Sequence, residues 1–175
     1  MHKYKKKNIL ILFLTIVLIL LIAFPVIDMI IKNNSSSNDR IIYQFKKNFE
    51  VAIPENVLIT NISNSYEGIH NDGELLYTFQ FDKHESIEFI TNIEHTWNHT
   101  PLSDDINILL YGGYKNGINY QYNLGQKIGI PIVENGFWCI VPKDIDNILL
   151  QYSFDFTLSI FDTDTNILYY YKINT

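Results

Sequence analysis

The sequence predicts an α+β protein: an N-terminal transmembrane helix, then one domain with a mainly antiparallel sheet, two or three helices and a C-terminal β-hairpin. Three observations lead to this prediction. An uncharged, apolar run occupies residues 9–27. Strand-like alternation of apolar and polar side chains occurs at both ends of the remaining chain, and helix-like spacing occurs between them. Strands that flank a run of helices are typical of the α+β class.

The apolar run at residues 9–27 is long enough to cross a bilayer. Nineteen helical residues span about 28 Å, close to the ~30 Å of the hydrocarbon core. Sixteen of them are Leu, Ile, Phe or Val, which makes insertion favourable. Four lysines precede the run, and the charges that follow it nearly cancel. The positive-inside rule therefore puts the N-terminus in the cytoplasm and the domain outside. The lysines are Lys3, Lys5, Lys6 and Lys7.

Two other interpretations of this run fit less well. A cleaved signal peptide needs a shorter apolar core and small residues at the cleavage site, and Ala23-Phe24-Pro25 matches that poorly. A lipoprotein needs a cysteine just after the run, whereas the single cysteine is Cys139. We therefore expect a retained single-pass anchor in contact with the lipid bilayer, and keep the cleaved signal as the alternative.

The expected organisation has four parts. These are a cytoplasmic basic tail (1–8), the anchor (9–31), a polar linker (32–39) and an extracytoplasmic domain (40–175). The domain is long enough for one core. It carries 8 Lys and Arg against 17 Asp and Glu, a formal charge of −9. Such an acidic surface argues against a nucleic-acid partner. One cysteine excludes an internal disulfide.

The sequence of the first half of the domain predicts a helix and two paired strands. A helix is expected from Ser37 or Asn38 to about Asn48. Strands are expected at residues 57–63 and 74–81, and the loop of about ten residues between them favours antiparallel pairing. Apolar residues that mark the helix are Ile41, Ile42, Phe45 and Phe49, and those on one face of the second strand are Leu75, Tyr77, Phe79 and Phe81.

Two further helices are expected in the middle of the domain. The second begins at Asp82 or Lys83 and ends between Asn92 and Trp97. Its expected inner face consists of Ile87, Ile90, Ile93 or Glu94, and Trp97. Ser103 can cap a short third helix with Asp104 and Asp105 in its first turn and Gly112-Gly113 at its end. A strand at 106–111 is the alternative, and residues 112–129 read as irregular.

The C-terminal third predicts three strands. Residues 137–141 read as a buried strand in which Cys139 is a small core residue. Residues 152–160 alternate strictly and predict a half-buried strand. The chain turns at residues 162–166 and returns as a strand at 167–173, which completes a hairpin. Tyr169, Tyr171 and Ile173 are expected on one face of that strand, opposite Leu168, Tyr170 and Lys172.

The turn of this hairpin begins like a calcium-binding loop. Asp162, Asp164 and Asn166 match its first ligands. Ile167 stands where that loop needs Gly, and Ile173 stands where it needs a bidentate Glu. Asp, Thr and Asn are ordinary turn residues, so we interpret the segment as a turn.

Two groups of residues are candidates for catalysis or metal binding. His95 and His99 are four residues apart, the spacing of two metal ligands on one helix face, with Glu85, Glu88 and Glu94 nearby. A solvated helix end is the interpretation we favour, because the general base of a His-Glu-x-x-His motif is missing. His70, Asp72 and Glu74 place an imidazole and two carboxylates on a predicted turn; ordinary turn chemistry explains these residues, and we favour that interpretation over a catalytic site. The sequence indicates no cofactor.

Several stretches together carry a resemblance to a bacterial group. These are residues 45–49, 53–57, 66–74, 134–138, 152–157 and 162–171. The chain resembles a group of uncharacterised small envelope proteins of Gram-positive bacteria, which begin with a membrane anchor or a lipoprotein signal. The resemblance implies an anchored extracytoplasmic domain, and it transfers no site residue.

The expected function is therefore a non-enzymatic binding or interaction module at the cell envelope, with an envelope component or a protein as its partner. The alternative is an envelope-associated hydrolase or metal-dependent enzyme that uses His70, Asp72 or the pair His95 and His99. An immunity or signalling accessory is a third hypothesis.

Overall fold

A six-stranded antiparallel sheet organises the computed structural model, which describes residues 37–54, 56–65, 72–142 and 147–175. The contacts divide the chain after Ile41, and all packing described below lies within residues 42–175. The predicted anchor (9–31) lies outside the described residues. Among the residues that are described, no helix is both long and apolar enough to cross a membrane.

The strands of this sheet are β1 Leu58–Asn64, β2 Gly73–Gln80, β3 Asn98–His99, β6 Gly136–Val141, β7 Asp155–Asp162 and β8 Ile167–Asn174. They lie side by side in the order β1-β2-β8-β7-β6-β3. A separate hairpin consists of β4 Gly113–Lys115 and β5 Ile118–Tyr120. The helices are α1 Ser37–Phe49, α2 Lys83–Ile93, α3 Asp104–Tyr111, α4 Leu124–Ile128 and a 3₁₀ turn at Ile148–Leu150.

The predicted class and pairings are confirmed. The protein is α+β, and the sheet is antiparallel throughout. β1 pairs with β2, and β7 pairs with β8 in a hairpin whose last pair is Asp162 with Ile167. Residues 104–111 form the third helix, and the strand alternative is wrong. The described residues hold four α-helices where two or three were predicted.

One side of the sheet, here called the aromatic face, packs against α1 and α2. Phe45 of α1 lies 5.8 Å from Phe79 and 5.7 Å from Tyr170, measured between ring centroids. Phe89 of α2 lies 5.1 Å from Phe161. These rings are fully buried, so the helices are held to the sheet by contacts between large side chains.

The opposite side, here called the aliphatic face, packs against α3. Leu109 and Leu110 of α3 are fully buried in one cluster with Leu76, Leu158 and Ile160 of the sheet. α4 packs against α3 closely enough that a Cβ at Gly125 would meet Leu110 at 3.0 Å. Both sides of the central strands are therefore covered.

This double coverage corrects the prediction for the strand at residues 152–160. β7 begins at Asp155, and Thr157 and Ser159 on its polar side are buried together with its apolar side. The hydroxyl of Ser159 donates a hydrogen bond to the carbonyl of Tyr169 at 3.2 Å. A buried hydroxyl is tolerated when it has such a partner, so the polar alternation does not mark a solvent-exposed face here.

The inner face of α2 was predicted only in part. Ile93 and Trp97 are buried as expected, but Ile87 is 59% exposed. Phe89, two residues later, is fully buried instead. The aromatic face contacts the ring of Phe89, and this contact sets the rotation of the helix.

The stretch predicted to be irregular, residues 112–129, contains the β4–β5 hairpin and α4. Asn116 and Gly117 form its turn, with φ of 52° and 83°. Asn-Gly is the sequence that favours a turn with two positive φ angles. The sequence therefore contained a signal for this hairpin.

Candidate binding groove

A groove of about 370 Å³ lies where the C-terminal ends of α1 and α2 approach β6. We call it the α1–α2 groove. Its lining residues come from three separate parts of the chain: Asn48, Phe49, Glu50, Val51, Asn92, Thr96, Trp97, Cys139 and Val141. Its volume is at the lower end of the range of small-molecule sites, about 300–1,000 Å³.

The floor of the groove is aromatic and closely packed. Trp97 is only 5% exposed. Its ring lies 5.4 Å from Phe49, 5.9 Å from Phe89 and 6.3 Å from Phe45. Beside it, Cys139 is 7% exposed on β6, which confirms the predicted buried strand. The floor is thus continuous with the packing of the aromatic face and is held rigidly by it.

The rim of the groove is polar. The Asn48 amide donates to the hydroxyl of Tyr170 at 3.1 Å, which orients its side chain. The Thr96 hydroxyl donates to the carbonyl of Ile93 at 3.3 Å. Asn92 is exposed on the last turn of α2. The rim thus presents carboxamide and hydroxyl groups, which can both donate and accept hydrogen bonds.

Glu50 shapes one end of the groove. Its φ of 60° is left-handed, and its N–H donates to the carbonyl of Lys46 at 2.9 Å. This is the conformation that ends many helices, although glycine usually provides it. Because α1 stops here, the chain turns and places Val51 on the groove wall. Among the described lining residues, only Glu50 carries a charge.

The lining of the groove combines two kinds of surface. Its buried ring and aliphatic side chains favour an apolar surface on the ligand, whereas the rim amides and hydroxyl match hydroxyl or amide groups. A neutral, polyhydroxylated or amide-bearing molecule fits this combination. Among the described residues, no group of three His, Cys, Asp or Glu side chains is placed to hold a metal ion.

The structure separates the two histidines of the predicted metal pair. α2 ends at Ile93, so His95 lies in the turn that follows, with its Nε2 3.6 Å from a carboxylate oxygen of Glu94. His99 lies in β3, and its ring centroid is 4.6 Å from that of Phe137, with the two ring planes tilted by 44°. The two imidazoles do not share a helix face, because no continuous helix connects them. Of the nearby acids, Glu85 is part of the α2 cap, and Glu88 is exposed.

The second predicted group lies partly outside the described residues. His70 belongs to an undescribed segment, and Asp72 is exposed immediately before β2. A Glu74 carboxylate oxygen lies 3.5 Å from the Lys127 ammonium of α4. Of the two described carboxylates in this predicted group, that of Glu74 therefore forms an ion pair with Lys127.

The hairpin segment at residues 162–166 is a turn, as interpreted. Asp162 accepts hydrogen bonds from the Asp164 N–H at 2.9 Å and from the Thr165 hydroxyl at 2.7 Å. The Asn166 side chain accepts from the Ser86 hydroxyl at 2.7 Å. Asn135 donates to Asp164 at 2.8 Å. The side chains that could ligate calcium are thus used to shape and hold the turn.

The α1–α2 groove was not predicted. Asn48, Asn92 and Cys139 are far apart in sequence, and none belongs to a recognisable local motif. The comparisons with known proteins found no match to a protein-family model, to a curated protein or to a solved structure.

Proposed function

We propose that this protein is a single-pass membrane protein whose extracytoplasmic domain binds an envelope component without chemically changing it. The uncharged run at residues 9–27 and the lysines before it support the location. The resemblance to anchored envelope proteins supports the same compartment. The anchor's contribution to function is then to hold the domain close to the outer surface of the membrane.

The α1–α2 groove is the observation on which the binding function depends. It combines a rigid apolar floor at Trp97 with the amides of Asn48 and Asn92 at the rim. Saccharides have one relatively apolar ring face and many hydroxyl or N-acetyl groups, so they match both parts. We therefore propose that the ligand is a short neutral saccharide of the envelope.

Membrane fractionation tests the location. The full chain, expressed in a Gram-positive host, is expected in the membrane fraction. Protease added to intact protoplasts is expected to digest the domain while a cytoplasmic marker survives. Recovery of the full-length chain in the soluble fraction, or a domain protected from external protease, would contradict the proposed location.

Calorimetry tests the binding. The full chain in detergent micelles is titrated with N-acetylglucosamine and its short oligomers, with glycerol as the control titrant. We expect saturable binding that Asn92→Ala weakens about 2- to 10-fold, since a net hydrogen bond contributes about 0.5–1.5 kcal/mol. Asn119→Ala removes an exposed amide from β5, outside the groove, and is the matched control.

Two results would overturn the saccharide proposal. One is the absence of saturable heat with every saccharide. The other is an equal loss of affinity in the Asn92→Ala and Asn119→Ala variants, which would show that the groove does not bind the ligand. Neither result depends on where the protein resides, so the location and the ligand can fail separately.

A further inference from the structure

The dipeptide Asn-Gly occurs twice in the sequence, at Asn116-Gly117 and at Asn135-Gly136. In this dipeptide the glycine nitrogen can approach the side-chain amide carbon of the asparagine with little steric hindrance, because glycine has no Cβ. Both asparagines are exposed. Sequence and exposure therefore do not distinguish the two dipeptides, whereas their hydrogen bonds do.

Hydrogen bonds hold Asn135-Gly136 on both sides of its peptide bond. The Asn135 side-chain amide donates to a carboxylate oxygen of Asp164 at 2.8 Å. The Asn135 carbonyl accepts from the Thr163 N–H and from the Thr163 hydroxyl, both at 3.0 Å. Gly136 begins β6, and its carbonyl accepts from the Thr100 N–H at 3.0 Å. The Gly136 nitrogen therefore turns toward the Asn135 side chain only if several of these bonds break.

Asn116-Gly117 lies at the tip of the β4–β5 hairpin, where such restraints are missing. Lys115 pairs with Ile118, which leaves Asn116 and Gly117 as the two turn residues. Within the described part of the chain, no hydrogen bond involves the Asn116 side chain or the peptide bond that joins it to Gly117. A Cβ built on Gly117 would meet only the Tyr114 hydroxyl, at 4.0 Å. Open space therefore surrounds this peptide bond.

The hairpin that carries this dipeptide also opens more easily than β6. β4 and β5 have three residues each and form a sheet of their own. A two-stranded hairpin of this kind is only marginally stable by itself, and exposed turns open locally at a small cost in free energy. The φ of Asn116, 52°, is left-handed, which is unfavourable for a residue that has a Cβ. The turn therefore reaches other backbone conformations readily.

We infer that Asn116 is a site of spontaneous deamidation in the folded protein, and that Asn135 is protected from the same reaction. The Gly117 nitrogen, after losing its proton to hydroxide or water, attacks Cγ of Asn116. A bond forms between this nitrogen and Cγ, the bond between Cγ and Nδ2 breaks, and Nδ2 takes up a proton and leaves as ammonia. Water then opens the cyclic imide at either carbonyl and gives aspartate or isoaspartate. No group is oxidised or reduced, and water is the co-reactant.

Both products change the hairpin. Each adds a carboxylate to a domain whose formal charge is already −9. The carboxylate arises next to Lys115, which forms an ion pair with Asp105 of α3. Isoaspartate also inserts one carbon into the backbone of a turn whose two positive φ angles match paired strands. Deamidation is therefore expected to loosen the β4–β5 hairpin and to leave the six-stranded sheet intact.

Peptide mapping by mass spectrometry tests the inference on the full chain in detergent micelles. The protein is incubated at mildly alkaline pH, sampled over time and digested with trypsin. Cleavage after Lys115, Lys127 and Lys143 puts the two dipeptides on different peptides. Fragmentation assigns the change in mass from amide to acid to single residues, and the zero-time sample corrects for reaction during digestion. We expect Asn116 to deamidate about ten-fold or more faster than Asn135, because reaction at Asn135 must first break several hydrogen bonds.

The same chain in urea is the matched control. Unfolding removes the hydrogen bonds of both dipeptides, so Asn116 and Asn135 are then expected to deamidate at similar rates. Asn119 lies on the same tryptic peptide as Asn116 but precedes Tyr120. It is expected to keep its amide over the same period in both conditions, because the Cβ of Tyr120 hinders the attack.

A variant tests the protection of Asn135 directly. Asp164→Ala removes the partner of the Asn135 side-chain amide. We expect it to raise the rate at Asn135 about 2- to 10-fold, the effect of one net hydrogen bond. The rate at Asn116, on the separate hairpin, should stay the same.

Three results would overturn the inference. The first is an Asn116 that keeps its amide in the folded chain over the time in which the chain in urea converts. The second is an equal rate at Asn116 and Asn135 in the folded chain. The third is an unchanged rate at Asn135 in Asp164→Ala, which would show that hydrogen bonding does not select the site. None of these results depends on the location of the protein or on its ligand.

Discussion

The helices that cover the two faces of the sheet contribute different side chains, although the sheet itself presents buried aromatic residues on both faces. Those on the aliphatic face are Trp138, Phe156, Tyr169 and Tyr171. On the aromatic face, a few large rings from two helices contact one another and the sheet. On the aliphatic face, many smaller side chains come from the short elements α3, α4 and the 3₁₀ turn. The aromatic rings also form the floor of the α1–α2 groove. The aromatic packing that stabilises the domain therefore also shapes its candidate binding site.

The helices on the two faces also begin differently. At the N-terminus of α2, Asp82 accepts from the Glu85 N–H at 2.8 Å, and Glu85 accepts from the Asp82 N–H at 3.0 Å. This is a complete capping box. At the N-terminus of α3, the side chain of Ser103 makes no capping hydrogen bond. Local interactions thus stabilise α2 more than α3, which depends on its burial.

The largest effect is expected at the centre of the aromatic face. Phe45→Ala removes a fully buried ring that contacts five other aromatic side chains. The lost burial and the remaining cavity should lower the free energy of unfolding by about 3–5 kcal/mol. Chemical denaturation measures this change. Tyr43→Ala, on the same helix but 68% exposed, should stay within about 0.5 kcal/mol of wild type.

A somewhat smaller effect is expected on the aliphatic face. Leu109→Ala removes a fully buried side chain of α3, and we expect a loss of about 2–4 kcal/mol by the same measurement. The proposed saccharide binding in the groove should change little in Leu109→Ala, whereas Phe45→Ala should weaken it by disturbing Trp97. If Leu109→Ala weakened binding as much as Phe45→Ala, the two faces would not be functionally distinct.

Removal of the two helix caps should have unequal effects. Asp82→Ala breaks the capping box and should destabilise the protein by about 1 kcal/mol. Ser103→Ala should have almost no effect, because its hydroxyl is not used as a cap. Thermal unfolding of the two variants side by side measures the difference. Equal losses would mean that the α3 cap forms in solution.

The smallest effect is expected on the free energy of unfolding at alkaline pH, through Tyr111 of α3 on the aliphatic face. Burial, together with the neighbouring Tyr169, raises the pKa of Tyr111 from 10.0 to about 12. Its hydroxyl donates to the carbonyl of Pro131 at 2.6 Å. Between about pH 10 and 12 the unfolded state loses this proton and the folded state keeps it. The free energy of unfolding must therefore fall as pH rises through that interval.

Urea denaturation at pH 9, 10 and 11 measures this dependence. Tyr111→Phe should lessen the decline of the free energy of unfolding above pH 10, because it removes one of the groups that titrate differently in the folded and unfolded states. Tyr114→Phe, which removes an exposed hydroxyl from β4, is the matched control. An unchanged slope in Tyr111→Phe would show that this tyrosine is not responsible.

Elements with a strong local signal were predicted from the sequence. The C-terminal hairpin, the β1–β2 pair and the beginning of α2 at Asp82 all follow from periodicity, turn residues and caps. The incorrect predictions of side-chain burial have a common cause. Ile87 and Phe89 are both apolar, and local spacing alone does not determine which one faces a partner. Ser159 is polar and yet fully buried, because α1 and α2 cover that side of the sheet.

The sequence by itself determined the order of the longer helices and strands, the antiparallel class and the acidic character of the domain, because these depend on local pattern and composition; it missed β3, β4, β5 and α4. It also carries the prediction of the anchor. Only the tertiary structure decided that both faces of the sheet are buried, that His95 and His99 lie apart, and that Asn48, Asn92 and Trp97 surround one groove. Such features depend on contacts between residues distant in sequence, which no local pattern specifies.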